Sequence, residues 1–118
     1  MSSIRTELLQ NRMEDGIEDP DDIMLEIMEI FTELEIIPNI GKYYTFIYQP
    51  KTPDLRYDQF PLIACIDIFP WGFRGVNFHW NDYRNYTWME VQGQLHVIEE
   101  DEIDDMRQIP YAKYLLNR

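Results

Sequence analysis

Three β-rich runs between residues 43 and 80 are the feature that most constrains the fold of this chain. The runs cover residues 43–48, 62–69 and 73–80 and consist mainly of aromatic and β-branched residues. The link Pro70-Trp71-Gly72 is so short that it predicts a hairpin between the second and third runs. Gly75, inside the third run, predicts a bend or a β-bulge, which small curved sheets need. Of its two sides, we expect the one with Arg74, Val76, Phe78 and Trp80 to face the core.

The residues before these runs have the pattern of two helices. We predict the first over residues 4–13. The second is predicted over residues 20–35, because Asp19 and Pro20 suit a helix start and Pro38 requires an end. Apolar residues follow at spacings of three and four, namely Ile23, Met24, Ile27, Met28, Ile30, Phe31 and Leu34. We expect this stripe to pack on the sheet, with docking on a partner as the alternative.

The residues after the third run are predicted to form short elements. Thr87 and Glu90 have the spacing of a capping box, which predicts one or two helical turns there. Residues 95–98 are expected to form a last short strand. The acidic run that begins at Glu99 is expected to start a short helix that ends before Pro110.

These elements predict one α+β domain over residues 1–118. An acidic helical region, residues 1–38, would pack on a β-rich module, residues 39–98. We expect that module to be a small, strongly curved antiparallel sheet or an SH3-like barrel. Residues 99–118 would add the short acidic helix and a C-terminal tail.

The formal charge of −12 is unevenly distributed along the chain. Residues 1–35 hold eleven acids and two bases, residues 36–98 hold five of each, and residues 99–105 hold six acids and no base. Such a surface repels nucleic acid, whose binding depends on Lys and Arg contacts to phosphate, and it repels anionic membranes. The charge favours a basic protein partner.

The residue types that usually carry catalysis or metal binding are few and far apart. His79 and His96 lack zinc-ligand spacing, and Cys65 stands among apolar neighbours, as a buried structural thiol does. The acidic runs lack the glycine and ligand order of an EF-hand, and Asp67 is expected to be hydrogen-bonded. We therefore predict a protein that is not an enzyme and that uses no cofactor and no metal.

Targeting signals are also missing from the sequence. No stretch approaches the roughly 20 apolar residues that span a bilayer, and residues 1–16 lack the apolar core of a signal peptide. We expect a protein made in a cytoplasm, or one that stays inside a particle assembled there.

Aromatic residues interleaved with arginines form the candidate binding surface. Protein interfaces concentrate binding energy in Trp, Tyr and Arg, whereas the same residues also stack on bases and sugars. We expect part of this set to fill the core and part to contact a protein, because the charge opposes nucleic acid. The predicted contact residues are Trp71, Phe73, Arg74, Tyr83, Arg84 and Tyr114.

Four segments, GKYYTFIYQPKT, YDQFPLIACIDIF, WGFRGVNFHW and IPYAKYLL, lie between residues 41 and 116. They resemble segments of small virion proteins of contractile-tailed bacteriophages, especially those of cyanobacteria. The resemblance implies a structural component of the tail, baseplate or neck, present in several copies and in contact with other virion proteins. It would be made in the host cytoplasm. The alternative is a phage protein that protects DNA ends, which requires Arg56, Arg74 and Arg84 to cluster.

Overall fold

Over the residues that the structure describes, the fold is an open antiparallel sheet of six strands with three helices. The computed structural model describes residues 4–14, 16, 20–48, 61–78 and 81–109. In chain order, the elements are α1 (Ile4–Glu14), α2 (Pro20–Ile30), β1 (Leu34–Glu35), β2 (Tyr43–Tyr48), β3 (Leu62–Phe69), β4 (Gly72–Asn77), β5 (Asp82–Thr87), β6 (Val91–Ile98), a 3-10 turn (Glu100–Glu102) and α3 (Ile103–Gln108). The strand order is β1-β6-β2-β3-β4-β5, so β1 and β5 are the edges. The predicted α+β class is confirmed, as a sheet rather than a closed barrel.

Helix α2 begins as predicted but ends five residues early. Its stripe is buried at Ile23, Met24, Ile27 and Phe31. The prediction that the helix continues to residue 35 is wrong, because Leu34–Glu35 forms β1 and pairs with β6. The carbonyl of Glu33 also accepts a hydrogen bond from the amide of Val97, at 2.9 Å. The sheet edge thus satisfies backbone groups that a longer helix would have bonded internally. Among the described residues, no helix is long and apolar enough to cross a bilayer.

The sheet has an apolar cluster on each face. On one face, side chains from the helices pack against residues of β2, β3 and β6. This helix-side core contains Leu9, Ile23, Met24, Ile27, Phe31, Leu62, Ile98, Ile103, Met106 and Ile109. On the other face, the buried residues all come from strands and include four aromatic rings. This aromatic core contains Tyr44, Phe46, Ile63, Cys65, Phe73, Tyr86, Leu95 and Val97.

The side of β4 that carries Phe73 faces the aromatic core, opposite to the side that the sequence predicts. Phe73 is fully buried, and its ring centroid lies 6.0 Å from Phe46 and 5.3 Å from Tyr86. Arg74, on the opposite side, is exposed. The prediction is wrong at Arg74, because both sides of the strand carry apolar residues and ring contacts from other strands decide between them. Phe78, just after the strand, does pack against the helix-side core, and Trp80 lies outside the described residues. The predicted irregularity is present: the β3–β4 register shifts between Cys65 and Asp67, opposite Gly75.

The segment from Thr87 to Glu90 forms a tight turn between β5 and β6 instead of the predicted helical turns. The capping-box contacts nevertheless exist: the amide of Thr87 donates to Oε1 of Glu90 at 3.1 Å, and the amide of Glu90 donates to the hydroxyl oxygen of Thr87 at 3.3 Å. The amide of Glu90 also donates to the carbonyl of Thr87 at 3.0 Å, which closes the turn. The same local hydrogen bonds here close a turn that connects β5 to β6, two strands that pair with β4 and with β1 and β2, and not with each other.

The two ends of the described chain are joined by polar contacts. Nε of Arg5 donates to Oε2 of Glu102 at 2.8 Å, and Thr6 donates to Asp105 at 3.0 Å. Glu102 is 1% exposed and also accepts the amide hydrogen of Glu99 at 2.8 Å. The predicted short acidic helix after residue 99 is confirmed, and its carboxylates hold α1 in place.

Candidate protein-interaction surface

The helix-side face of the sheet continues past the helices as an exposed strip on β3, β4 and β5. The register aligns Asp67, Arg74 and Asn85 across the three strands, so their side chains point to the same side. Phe69 and Tyr83 lie on that side too, and Trp71 adjoins it from the β3–β4 turn. We call this strip the hairpin surface, and it consists of Asp67, Phe69, Trp71, Arg74, Tyr83 and Asn85.

Phe69 is the centre of the hairpin surface. Its ring stacks on Trp71 with centroids 4.9 Å apart and planes 5° apart. The guanidinium carbon of Arg74 lies 5.7 Å from the centroid of Phe69, within cation–π range. Nε of Arg74 also donates to Oδ1 of Asn85 at 3.0 Å, which holds the guanidinium beside the ring. The cation and both rings are therefore oriented before any partner binds.

The turn that carries Trp71 is held by the neighbouring turn. The indole Nε1 of Trp88 donates to the carbonyl of Pro70 at 2.9 Å, and its amide donates to the carbonyl of Trp71 at 3.3 Å. Gly72 makes this close approach possible, because a Cβ there would lie 1.9 Å from the carbonyl oxygen of Tyr86. Trp71 is thus presented to solvent on a fixed backbone, with 43% of its surface exposed.

Tyr83 extends the hairpin surface to the free edge of the sheet. It lies on β5, whose only partner among the described strands is β4. Its side chain is 66% exposed. An exposed tyrosine beside an edge strand offers a partner both ring contacts and backbone hydrogen bonds.

The structure separates the six predicted contact residues. Trp71, Arg74 and Tyr83 lie together on the hairpin surface. Phe73 belongs to the aromatic core with no exposed surface, so its prediction as a contact residue is corrected: ring packing from β2 and β5 buries it. Arg84 aligns with Gly75 and therefore points to the opposite face from Arg74. Tyr114 and Arg56 lie outside the described residues.

The candidate catalytic residues do not converge. His96 is buried on the helix side, where Nδ1 lies 2.8 Å from the carbonyl oxygen of Phe31 and must donate to it. Cys65 is buried on the other face, and burial raises the pKa of its thiol to about 11, so the thiol stays protonated at neutral pH. Asp67 is exposed and accepts the amide hydrogen of Ile68 at 2.9 Å. His79 lies outside the described residues, among which no group of three His, Cys, Asp or Glu side chains is placed to hold a metal ion.

A second polar cluster, which the sequence did not indicate, surrounds Glu35. Its carboxylate accepts hydrogen bonds from Nδ2 of Asn39 at 2.7 Å, from Nζ of Lys42 at 2.8 Å and from the hydroxyl of Tyr44. Burial pushes the pKa of Glu35 up, but the hydrogen bonds from these three groups outweigh it, and the pKa lies below its usual range. Burial, together with the bond to Glu35, raises the pKa of Tyr44 to about 12. The one feature of the sequence that marks this region is the pair Ile36 and Ile37 before Pro38, and that pair fits the end of a helix equally well.

Comparison with known proteins found no match: no family model, no curated protein and no solved structure matches the chain. The chemistry of the hairpin surface therefore has to be assessed from its own groups. Two stacked rings, one oriented guanidinium and one exposed tyrosine suit recognition of a protein surface rather than proton transfer.

Proposed function

We propose that this chain is a non-enzymatic structural component of a tailed-phage virion that acts through protein–protein contacts in the tail, baseplate or neck. The observation that carries the protein-contact part is the preformed hairpin surface, in which Trp71, Arg74 and Tyr83 are exposed and oriented. The virion part comes from the resemblance of four segments to phage virion proteins. Several copies per particle would each place this surface against a neighbouring virion protein.

The composition of the hairpin surface supports a protein neighbour more than a nucleic acid. Arg74 is balanced there by Asp67, and Arg84 points to the other face. A nucleic acid would instead require several cations along one face to neutralise phosphates. Trp, Tyr and Arg are the residues that most often dominate the energy of protein interfaces.

Incorporation into particles tests this proposal. Virions purified from a culture that expresses the chain should contain it in several copies. The double substitution Trp71→Ala and Tyr83→Ala should lower its incorporation at least tenfold while shifting the melting temperature of the isolated chain by less than about 2 °C. Leu25→Ala is the matched control, because Leu25 is 57% exposed on α2, away from this surface.

Two results would contradict the proposal. Purified particles without this chain would remove the virion assignment. Normal incorporation of the Trp71→Ala and Tyr83→Ala variant would show that the hairpin surface is not the contact. Retention of linear DNA by the isolated chain at physiological salt, lost on Arg74→Ala, would favour the DNA-end alternative instead.

A further inference from the structure

The segment that follows α2 exposes an unusual number of aliphatic side chains. Leu34, Ile36, Ile37 and Ile40 are 40%, 76%, 63% and 62% exposed. A single exposed aliphatic residue needs no explanation, but four within seven residues do, because apolar surface in water is unfavourable. We call residues 34–40 the isoleucine loop.

The isoleucine loop is fixed in this exposed conformation. Pro38 is buried, the amide of Asn39 donates to the hydroxyl of Tyr44 at 2.8 Å, and the amide of Gly41 donates to the carbonyl of Cys65 at 2.8 Å. The carboxylate of Glu35 joins both ends of the loop through Asn39 and Lys42. The loop therefore presents its isoleucines in a conformation that is already ordered, which lowers the entropic cost of binding.

Acidic side chains surround the loop. Glu33 and Glu99 are exposed, and both are close enough to Lys42 to raise its pKa, after the larger effect of Glu35. Lys42 itself is paired with Glu35, at 2.8 Å. The apolar side chains thus stand beside exposed carboxylates that Lys42, already paired with Glu35, does not balance, on a chain whose formal charge is −12.

We propose that the isoleucine loop is a preformed docking site for a basic, amphipathic segment of a partner protein. Aliphatic side chains of that segment would cover Ile36, Ile37 and Ile40, and its Lys or Arg residues would lie against Glu33 and Glu99. Charge complementarity selects this occupant over a second copy of the chain, because a twofold contact would bring the same carboxylates together. The inference does not depend on the virion assignment.

This docking site is separate from the hairpin surface. The isoleucine loop begins in β1, and the hairpin surface ends on β5, which is the opposite edge of the six-stranded sheet. One molecule can therefore contact two neighbours at once, one through an oriented aromatic surface of balanced charge and one through an aliphatic loop with an acidic border.

A peptide titration of the full chain tests the docking site. The probe is a 12-residue peptide of alternating lysine and valine; the control peptides replace lysine with glutamate or valine with serine. Amide resonances of the chain are followed by NMR. The lysine–valine peptide should shift the resonances of residues 33–40 and of Glu99, and its affinity should fall when salt is raised from 50 to 300 mM. Neither control peptide should bind as tightly, with at least a tenfold difference.

Substitutions assign the binding to the loop. Ile36→Ser with Ile37→Ser should weaken binding of the lysine–valine peptide at least tenfold, whereas Leu25→Ser, at an exposed aliphatic residue of α2, should leave it unchanged. Glu33→Gln with Glu99→Gln should flatten the dependence on salt. The Ile36→Ser and Ile37→Ser variant should keep its melting temperature within about 2 °C, because these side chains are exposed in the free chain.

Several outcomes would overturn the proposal. These are equal binding of the glutamate–valine peptide, resonance shifts confined to other residues, and unchanged binding by the Ile36→Ser and Ile37→Ser variant. Self-association that this variant abolishes would assign the loop to a second copy. A fall of more than about 5 °C in its melting temperature would mean that the chain itself covers the loop. Particle incorporation through the hairpin surface would be unaffected by any of these results.

Discussion

The two faces of the sheet are closed in different ways. The helix-side core is mainly aliphatic and collects residues from α1, α2, α3 and three strands, which lie far apart in the sequence. The aromatic core comes from the strands alone, and its rings on β2, β4 and β5 contact one another. Large rings let one sheet fill its own open face, whereas the smaller aliphatic side chains need a second layer of helices.

The two faces also differ in how their borders are held. Tyrosine hydroxyls border the aromatic core: Tyr44 bonds Glu35, and Tyr48 donates to Glu90 at 3.0 Å. Burial, followed by the bond to Glu90, raises the pKa of Tyr48. The helix-side core is instead secured by the ion pair of Arg5 and Glu102, which joins α1 to the 3-10 turn that precedes α3. The difference teaches that one face is closed by packing among the strands themselves and the other by helices from both ends of the described chain.

The largest expected effect comes from the aromatic core. Phe73→Ala removes a fully buried ring and should lower the free energy of unfolding by about 3–5 kcal/mol. Ile27→Ala, the matched change in the helix-side core, should cost about 2–4 kcal/mol. Urea unfolding of both variants and of the double variant measures whether the faces are independent. A cost below about 1 kcal/mol for Phe73→Ala would contradict the description of that core.

The pair that secures the helices should give the next largest effect. Arg5→Met leaves the carboxylate of Glu102 buried without its cation and should cost about 2 kcal/mol. This is less than the roughly 3–5 kcal/mol of a fully buried pair, because Arg5 is 27% exposed. Adding Glu102→Gln to this variant should recover part of the loss. Hydrogen exchange should show faster opening of α1 than of β3; equal acceleration in both would mean that the two faces open together.

Acid should act on the border of the aromatic core through Glu35. Its pKa is lower in the folded chain than in the unfolded chain, so its contribution to stability is complete above the unfolded value, about 4.3, and disappears as the pH falls through the folded value. The difference in unfolding free energy between the wild-type chain and Glu35→Gln should therefore shrink below about pH 4.3. Denaturant titrations of both proteins from pH 3 to pH 7 measure it. A difference that stays constant with pH would contradict the hydrogen bonds assigned to this carboxylate.

The smallest effect on stability is expected at the hairpin surface. Trp71→Ala removes a ring that is 43% exposed, and the free energy of unfolding should change by less than about 1 kcal/mol. Assembly, in contrast, should weaken strongly. Urea unfolding measures the stability of this variant, and particle incorporation measures its assembly. Phe73→Ala should instead lose stability first, because its ring is buried. Equal loss of both properties on Trp71→Ala would place this ring in the core.

Local patterns predicted the elements whose partners lie nearby in the sequence. The start of α2 follows from Asp19 and Pro20, and the β3–β4 hairpin follows from its short turn. Strand β5 was missed, because in its sequence, DYRNYT, the two tyrosines are three residues apart, fall on opposite sides and leave no apolar side. Pairing with β4 makes it a strand, and that pairing also turns the capping-box residue Thr87 into the end of a hairpin.

The candidate site was only partly predictable for the same reason. The sequence indicated Trp71, Arg74 and Tyr83 as contact residues, because their types are enriched at protein interfaces, but only the register across three strands brings them to one side. It could not separate Phe73 from Arg74, because strand alternation fixes which residues share a face and leaves open which face is buried. Exposure of the isoleucine loop contradicts its composition, and hydrogen bonds that join Glu35, Asn39 and Gly41 to the rest of the chain hold the loop in this conformation.

The pair of Arg5 and Glu102 has a consequence for synthesis of the chain. The two residues are 97 positions apart, and ribosomes add about 5–20 residues per second. The first helix therefore leaves the ribosome about 5–20 s before the carboxylate that holds it has been made. Its docking is one of the last steps of folding, and any nascent chain that stops before residue 102 lacks this closure.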